Sequence, residues 1–226
     1  MAKKSAKVYP TEYEIKLDLG SRDNYSKLVE ELGTPLDIYN QENHFLDTRE
    51  RTLLKSHWAF RVRIVAASEV PGIHRHSYAE VTLKGPETGE GIMAERHELN
   101  DPISLIAALS LVKSGIGILS PSVSPIVELR KMVGSKRLFP LVSFKNKRTL
   151  FDKSADCGCY LELDLTTFGR GILGYELEME FDEPNAEAIE RAVTYVRRLF
   201  QKLNIPYEIQ RTSKFATALK NHSLLD

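Results

Sequence analysis

Acidic and basic side chains recur in this chain at every second residue, segregated by sign. Glu12 and Glu14 in EYEIKLDL, Glu162 and Asp164 in YLELDL, and Glu176, Glu178 and Glu180 in GYELEMEF each alternate with apolar neighbours. Arg61 and Arg63 in FRVRIV, and Lys84 in YAEVTLK, do the same with the opposite charge. In a β-strand residues i and i+2 share a face, so each stretch presents one sign of charge on one side and apolar residues on the other. Like charges stacked on one face repel, which implies something of opposite sign between them. A wet outer face of acidic strands lying beside basic ones would satisfy that requirement. Three acidic and two basic stretches in one chain point instead to an enclosed space. There, carboxylates suit a hard divalent cation, and Arg and Lys suit phosphate oxygens.

The whole chain is 226 residues, with 31 Lys+Arg against 31 Asp+Glu. Zero net charge excludes the uniformly basic surface of a nucleic-acid binder, so charge-driven function must come from segregation within the fold. No apolar run approaches the ~20 residues that span a bilayer, and MAKKSAK leads into polar residues, so a cytoplasmic protein is expected. Cys157 and Cys159 are the only cysteines. One residue apart, they fit neither a four-ligand zinc site nor a disulfide framework and are expected to be reduced.

The elements that would position the charges are mostly strands. Period-two alternation predicts strands at 12–19, 60–65, 78–84, 160–165 and 174–181, with less regular ones at 36–46, 92–99, 139–151 and 207–210. Tyr25, Leu28, Val29 and Leu32 make the apolar stripe of a short helix that Gly33 can end. Two helical stretches over 102–132 are broken by a Gly/Pro/Ser-rich connection at 115–125, and 186–203 reads as the longest helix, stopped by Asn204 and Pro206. The segment 66–77, with Glu69, His74 and Arg75, reads as a solvated hairpin loop. An α+β chain is expected, one domain over 1–226 with a helical insertion at about 102–132. If the sheet closes, alternation allows an apolar outer layer under helices and a charged interior.

The charged stretches carry recognisable motifs in a fixed order. They run Glu12-Tyr13-Glu14-Ile15-Lys16, Gln41-Glu42-Asn43-His44-Phe45-Leu46-Asp47-Thr48, Phe60-Arg61-Val62-Arg63 and Thr82-Leu83-Lys84-Gly85-Pro86, then the charged run Gly91–Glu98. Arg148, the Glu162/Asp164 pair, Glu176-Leu177-Glu178 and Ser213-Lys214-Phe215 follow. The ordered set resembles the CYTH superfamily, the triphosphate tunnel metalloenzymes, over nearly the whole chain. An ExExK strand alone would fit any amphipathic strand; the sequence of motifs is specific. The resemblance implies a closed eight-stranded antiparallel β-barrel with peripheral helices, binding an inorganic or organic triphosphate with Mg2+ or Mn2+.

Carried over position by position, the resemblance makes Glu12, Glu14, Glu176 and Glu178 metal ligands, joined by Glu162 or Asp164, which share a face. It makes Lys16, Arg61, Arg63, Lys84, Arg148 and Lys214 the phosphate-binding cations, with Glu12, Glu14, Lys16, Glu176 and Glu178 as the catalytic set. Family members often carry a Lys two residues before the Arg of the 139–151 strand; here Asn146 stands there, between Lys145 and Lys147. Glu95 and Arg96 have opposite parity, so only one can point inward without a bulge.

Phosphoryl transfer is mostly positioning and charge stabilisation, so this inventory needs no nucleophilic side chain. The activities implied are hydrolysis of tripolyphosphate, thiamine triphosphate or a nucleoside triphosphate, or cyclisation of ATP to cyclic AMP and pyrophosphate, as in class IV adenylyl cyclases. Cyclase members are usually shorter and lack a substantial helical insertion, which favours a hydrolase. His57-Trp58 before the RxR strand is similar to the His-Trp of vertebrate thiamine triphosphatases, though shifted by one residue, and a lone Trp also suits core packing. A non-catalytic module binding polyphosphate or a nucleotide is the reading from another class. The expected partner is a small triphosphate, with no nucleic-acid polymer and no membrane, for a monomer or homodimer.

Overall fold

The structure, a computed structural model, describes residues 9–222 apart from 68–69, 71–72, 74, 89–90, 116–121 and 183. Glu69 and His74 of the expected loop, the MAKKSAK terminus and most of the 115–125 connection lie outside the described residues. The elements run β1 (Thr11–Asp18), α1 (Arg22–Leu32), β2 (Asp37–Thr48), α2 (Thr52–Lys55), β3 (Ala59–Val65), β4 (Tyr78–Thr88), β5 (Ala94–Ile103), α3 (Leu105–Ser114) and α4 (Ser124–Val133). They continue β6 (Leu138–Asp152), α5 (Ser154–Cys157), β7 (Tyr160–Thr167), β8 (Leu173–Phe181), α6 (Ala186–Leu203), β9 (Glu208–Ile209) and α7 (Lys214–Asn221).

Eight strands hydrogen-bond in the order β5-β4-β3-β2-β6-β7-β8-β1, and β1 returns to β5 through Thr11↔His97 to Glu14↔Ala94, which closes the barrel. The ninth, β9, is a two-residue strand beside Leu17 and Asp18 of β1. Closure removes sheet edges and gives every strand an inside and an outside. On the outside, Ile15 and Leu17 of β1, Leu161 and Leu163 of β7 and Leu177 and Met179 of β8 are buried under α1 and α6, against Leu28, Ala192, Val196 and Phe200. Phe60 and Val62 of β3 and Val81 and Leu83 of β4 are buried under α3 and α4, against Ala108, Leu111, Ile126 and Leu129. Each such fully buried side chain contributes ~1.5–3 kcal/mol, so the helices both stabilise the barrel and force the charged parity inward.

Local chemistry explains the helix ends. Ser21 and Asn185 cap α1 and α6 by accepting from the backbone N–H of Asn24 and Ala188, while Gly33 and Asn204 close them at φ of 81° and 55°. The helix expected from residue 102 starts three residues later. Pro102 and Ile103 still pair with β4, and Ser104 accepts from Ala107 N–H to begin α3. The α7 helix was absent from the sequence reading; Ser213 caps it through Ala216 N–H. Cys157 and Cys159 are free and buried, their Sγ atoms 3.5 Å apart. Among the described residues no helix is long and apolar enough to cross a membrane.

Candidate active site

The β1–β8 and β7–β8 registers decide which inward charges meet. Lys16 stands opposite Glu178, Glu14 opposite Glu180 and Asp18 opposite Glu176; Glu162 stands opposite Glu178 and Asp164 opposite Glu176. Three adjacent strands therefore stack carboxylates on one side of the interior. Further round the barrel β3 and β4 carry Arg61, Arg63 and Lys84, while β6, next to β7, carries Arg148 and α7 delivers Lys214 from its first turn into the acidic stack. The interior holds a cavity of about 490 Å3 whose wall includes Glu12, Glu14, Glu178 and Glu180 together with all six expected cations, Lys16, Arg61, Arg63, Lys84, Arg148 and Lys214. Glu162, Asp164 and Glu176 are not part of that wall.

Every one of these cations already faces acceptors. Lys84 Nζ donates to both oxygens of Glu12 at 3.1 Å and lies 2.5 Å from Glu98 Oε2. Arg96 Nε donates to Glu12 at 2.9 Å, its Nη2 pairs with Glu14, and Lys16 lies 2.8 Å from Glu14. Arg148 makes a bidentate pair with Asp164 at 2.9 and 2.7 Å and also contacts Glu162 and Glu178. Lys214 lies 2.9 Å from Asp164, donates to Glu178 at 2.7 Å and pairs with Glu176. Burial raises Asp164 and Glu178, but Arg148 and Lys214 outweigh it and hold both carboxyls below their usual range. Burial likewise works against Arg148 and Lys214, and the surrounding carboxylates hold both well above their ordinary values.

Other carboxylates lack such compensation. Burial pushes Glu162 up to about 8, and Glu180, 47% exposed, is pushed up to about 7 by the poorly solvated barrel around it with help from Glu12 and Glu178, Arg148 offsetting only part of the effect in each case. Oxygens of Glu12, Glu14 and Glu180 lie within 4.8 Å of one another, as do those of Glu162, Glu178 and Glu180. Glu180 belongs to both acid groups. All-oxygen donor sets crowded so closely that two members resist ionisation fit a hard divalent cation, which would replace the missing positive charge.

Of the six carboxylates expected to bind metal, Glu12, Glu14, Glu162 and Glu178 lie in these groups, while Asp164 and Glu176 lie in neither and face Lys214. Arg96 points inward beside Glu12, and Glu95 is not in the wall. Asn146 is buried, donating to Gln41 at 3.3 Å and accepting from Thr166 at 2.9 Å; Lys147 is exposed. Glu180 in its acidic strand, and Asn43 and Glu98 in their motifs, carry no assigned role in the sequence, and Glu80 and Asn100 are not singled out by it. Their parity with Lys84, Arg96 and the Gln41 strand was the available signal.

One end of the cavity is apolar. Phe215 of α7 stacks on Phe45 with centroids 4.3 Å apart, and Ala218 and Leu219 close over Val142, Phe144 and Phe168, which fixes Lys214 in the interior. Asp47 lies outside the cavity wall: its carboxylate accepts from Leu53 and Leu54 N–H at 3.0 and 2.9 Å and so anchors α2. The turn after α2 carries His57 at φ 60° and Trp58, both in the cavity wall. Trp58 is half-buried, edge-on to Tyr9 at 6.2 Å, and a side chain at Gly85 would reach within 3.4 Å of its ring.

A family model described as the CYTH domain matches residues 10–213. Comparison with curated protein sequences finds no significant match. Among solved structures, the chain is 25% identical to HpAC1 from Hippeastrum, a candidate adenylyl cyclase reported to have a dominant triphosphatase activity, with a TM-score of 0.79 over 93% of this chain and 96% of that one. A candidate adenylate cyclase from Bacillus halodurans is 23% identical with a TM-score of 0.65 over 92% and 98% of the two chains. The PH1819 protein of Pyrococcus horikoshii is 18% identical with a TM-score of 0.58 over 92% and 99%.

Proposed function

The chain belongs to the CYTH domain family, and from that membership and the charge inside its barrel we propose that it hydrolyses a triphosphate with the help of Mg2+ or Mn2+. The observation that carries the reading is one cavity whose wall combines Glu12, Glu14, Glu178 and Glu180, members of two acid groups sharing Glu180, with Arg61, Arg63 and Lys84. Glu12, Glu14 and Glu180, with Glu162 and Glu178, would hold the metal. Bound there, the metal would neutralise phosphate oxygens and make a water more acidic. Lys16, Arg61, Arg63, Lys84, Arg148 and Lys214 would bind the phosphate chain and hold it in line for attack, each exchanging a carboxylate partner for a phosphate oxygen. In this reading Asp164 and Glu176 orient Arg148 and Lys214 rather than bind metal.

The substrate is tripolyphosphate or a small organic triphosphate such as thiamine triphosphate. Equal numbers of acidic and basic residues, 31 of each, support a small-molecule substrate over a nucleic-acid polymer. The activity named for the Hippeastrum relative supports hydrolysis over cyclisation. Product analysis tests the reading: tripolyphosphate, thiamine triphosphate and ATP are incubated with Mg2+ or Mn2+, for the natural chain and for Glu178→Gln and Lys84→Ala. Orthophosphate that both substitutions abolish supports it. Pyrophosphate with cyclic AMP replaces it with a cyclase, and binding without turnover replaces it with a non-catalytic module.

A further inference from the structure

Glu80 is a carboxylate in the cavity wall that belongs to neither acid group. It stands on β4 in line with Thr82 and Lys84 and directly opposite Arg63 of β3. Its Oε1 accepts from Arg63 Nη1 at 3.2 Å and from Arg61 Nη2 at 3.5 Å, and Asn100 Nδ2 lies 3.5 Å from its Oε2. Neither guanidinium depends on Glu80 for its orientation. Arg61 Nη2 also donates to Thr82 Oγ1 at 2.9 Å, and Arg63 Nε donates to Asn43 Oδ1 at 2.8 Å. What Glu80 adds to these neutral acceptors is charge. Meanwhile Arg61 Nε and Asn43 Nδ2, on residues 7% and 1% exposed, have no hydrogen-bond partner among the described residues. Two guanidiniums in the cavity wall with donors to spare favour an anion beside them. Any anion taken there must sit beside a carboxylate that it cannot displace far, because Glu80 is itself enclosed, its side chain 15% exposed.

We propose that Glu80 is a specificity-determining residue of the tunnel: its fixed negative charge lets Arg61 and Arg63 take one end of a metal-complexed triphosphate while disfavouring the more highly charged metal-free polyphosphate. The proposal rests on the triphosphate reading of the same cavity. The physical reason is that repulsion between Glu80 and the bound anion grows with the anion's net charge, in surroundings where water screens poorly. Burial and the neighbouring Arg61 pull Arg63 down to about 10 even with Glu80 beside it, so the pair is only partly neutralised and still attracts an anion. Without Glu80, the pair would offer two uncompensated charges to any polyphosphate.

Titration calorimetry with tripolyphosphate, once in EDTA and once in excess Mg2+, tests the proposal on the natural chain, Glu80→Gln and Glu80→Ala. Gln keeps an oxygen for the arginines and removes only the charge. Both variants are expected to bind metal-free tripolyphosphate at least tenfold more tightly, with a gain of twofold or less for the Mg2+ complex. A gain in affinity cannot arise from a damaged fold. Unchanged or weaker metal-free binding, or equal gains in both buffers, overturns the role of Glu80 while the triphosphate reading stands. Natural chain that binds tripolyphosphate in neither buffer overturns both.

Discussion

Glu180 stands directly opposite Glu14 in the β1–β8 ladder, and its carboxylate is shared by both acid groups of the tunnel. Its recorded ion pair, with Arg148 Nη1, is a distant 3.9 Å, whereas Glu178 on the same strand is held by Lys214 and Arg148. Two carboxylates on one strand therefore have opposite roles. Glu178 is electrostatically satisfied by Lys214 and Arg148 alone, and Glu180 would become so when a cation joins it.

Replacing Glu180 with Gln should therefore have opposite effects on the two states. The metal-free protein loses a repelling charge and should melt at a higher temperature than the natural chain, while Mn2+ affinity by calorimetry should fall roughly tenfold or more, as expected when one of few oxygen ligands is lost. Lower stability without metal together with unchanged Mn2+ affinity would remove Glu180 from the metal site.

The pH dependence of the metal-free protein follows from the same carboxylates. Glu162 at about 8 and Glu180 at about 7 lie above the unfolded value of about 4.3, so between those limits the folded state binds more protons than the unfolded one. Stability from these two groups is full below about pH 4.3 and is lost as pH rises through 7 to 8. Glu98 at about 2 works in the other direction: Lys84 and Arg61 outweigh its burial, and its contribution is lost as pH falls through the acid range. Thermal melts in EDTA should show stability declining from pH 5 to pH 8, with Mg2+ or Mn2+ flattening the decline and Glu180→Gln reducing it. A flat profile in EDTA would show that the two carboxyls titrate normally.

Strand parity made much of this legible in the sequence. Glu14 and Lys16 had to face away from Ile15 and Leu17, and burial of Ile15 and Leu17 under α6 sends the charges inside. Parity says nothing about register between distant strands. Arg96 meets Glu12 across 84 residues of chain, and only the β6–β7 register sets Arg148 directly opposite Asp164. Single inward charges such as Glu80 and Glu98, with no like neighbour two residues away, show only their parity with Lys84 and Arg96, a weaker signal than a stacked pair. The α7 helix was missed because eight residues make a marginal helix in isolation; it forms by burying Phe215, Ala218 and Leu219 on the barrel.

Lys214 links that helix to the site. Lys214→Met keeps the stem against the barrel wall but leaves Glu176, Asp164 and Glu178 without their shared ammonium. Breaking a buried pair from one side costs about 3–5 kcal/mol, so urea denaturation should show a loss of that order. Turnover of tripolyphosphate should fall at least tenfold as well. Full activity with lowered stability would make Lys214 a structural residue only.

The 144–148 segment gives the sharpest test of which face is functional. Lys147 is exposed and lies outside the cavity wall, so Lys147→Ala should change stability by less than about 0.5 kcal/mol and leave tripolyphosphate affinity unaltered. Asn146 is 3% exposed and sits between Gln41 and Thr166; Asn146→Ala would strand both partners and should cost about 1–3 kcal/mol. Affinity lost on removing Lys147 but not Asn146 would mean that a bulge turns β6 over when substrate binds. In that case Lys147 would point into the cavity and Arg148 would leave its bidentate pair with Asp164, an exchange that the 2.9 and 2.7 Å contacts oppose.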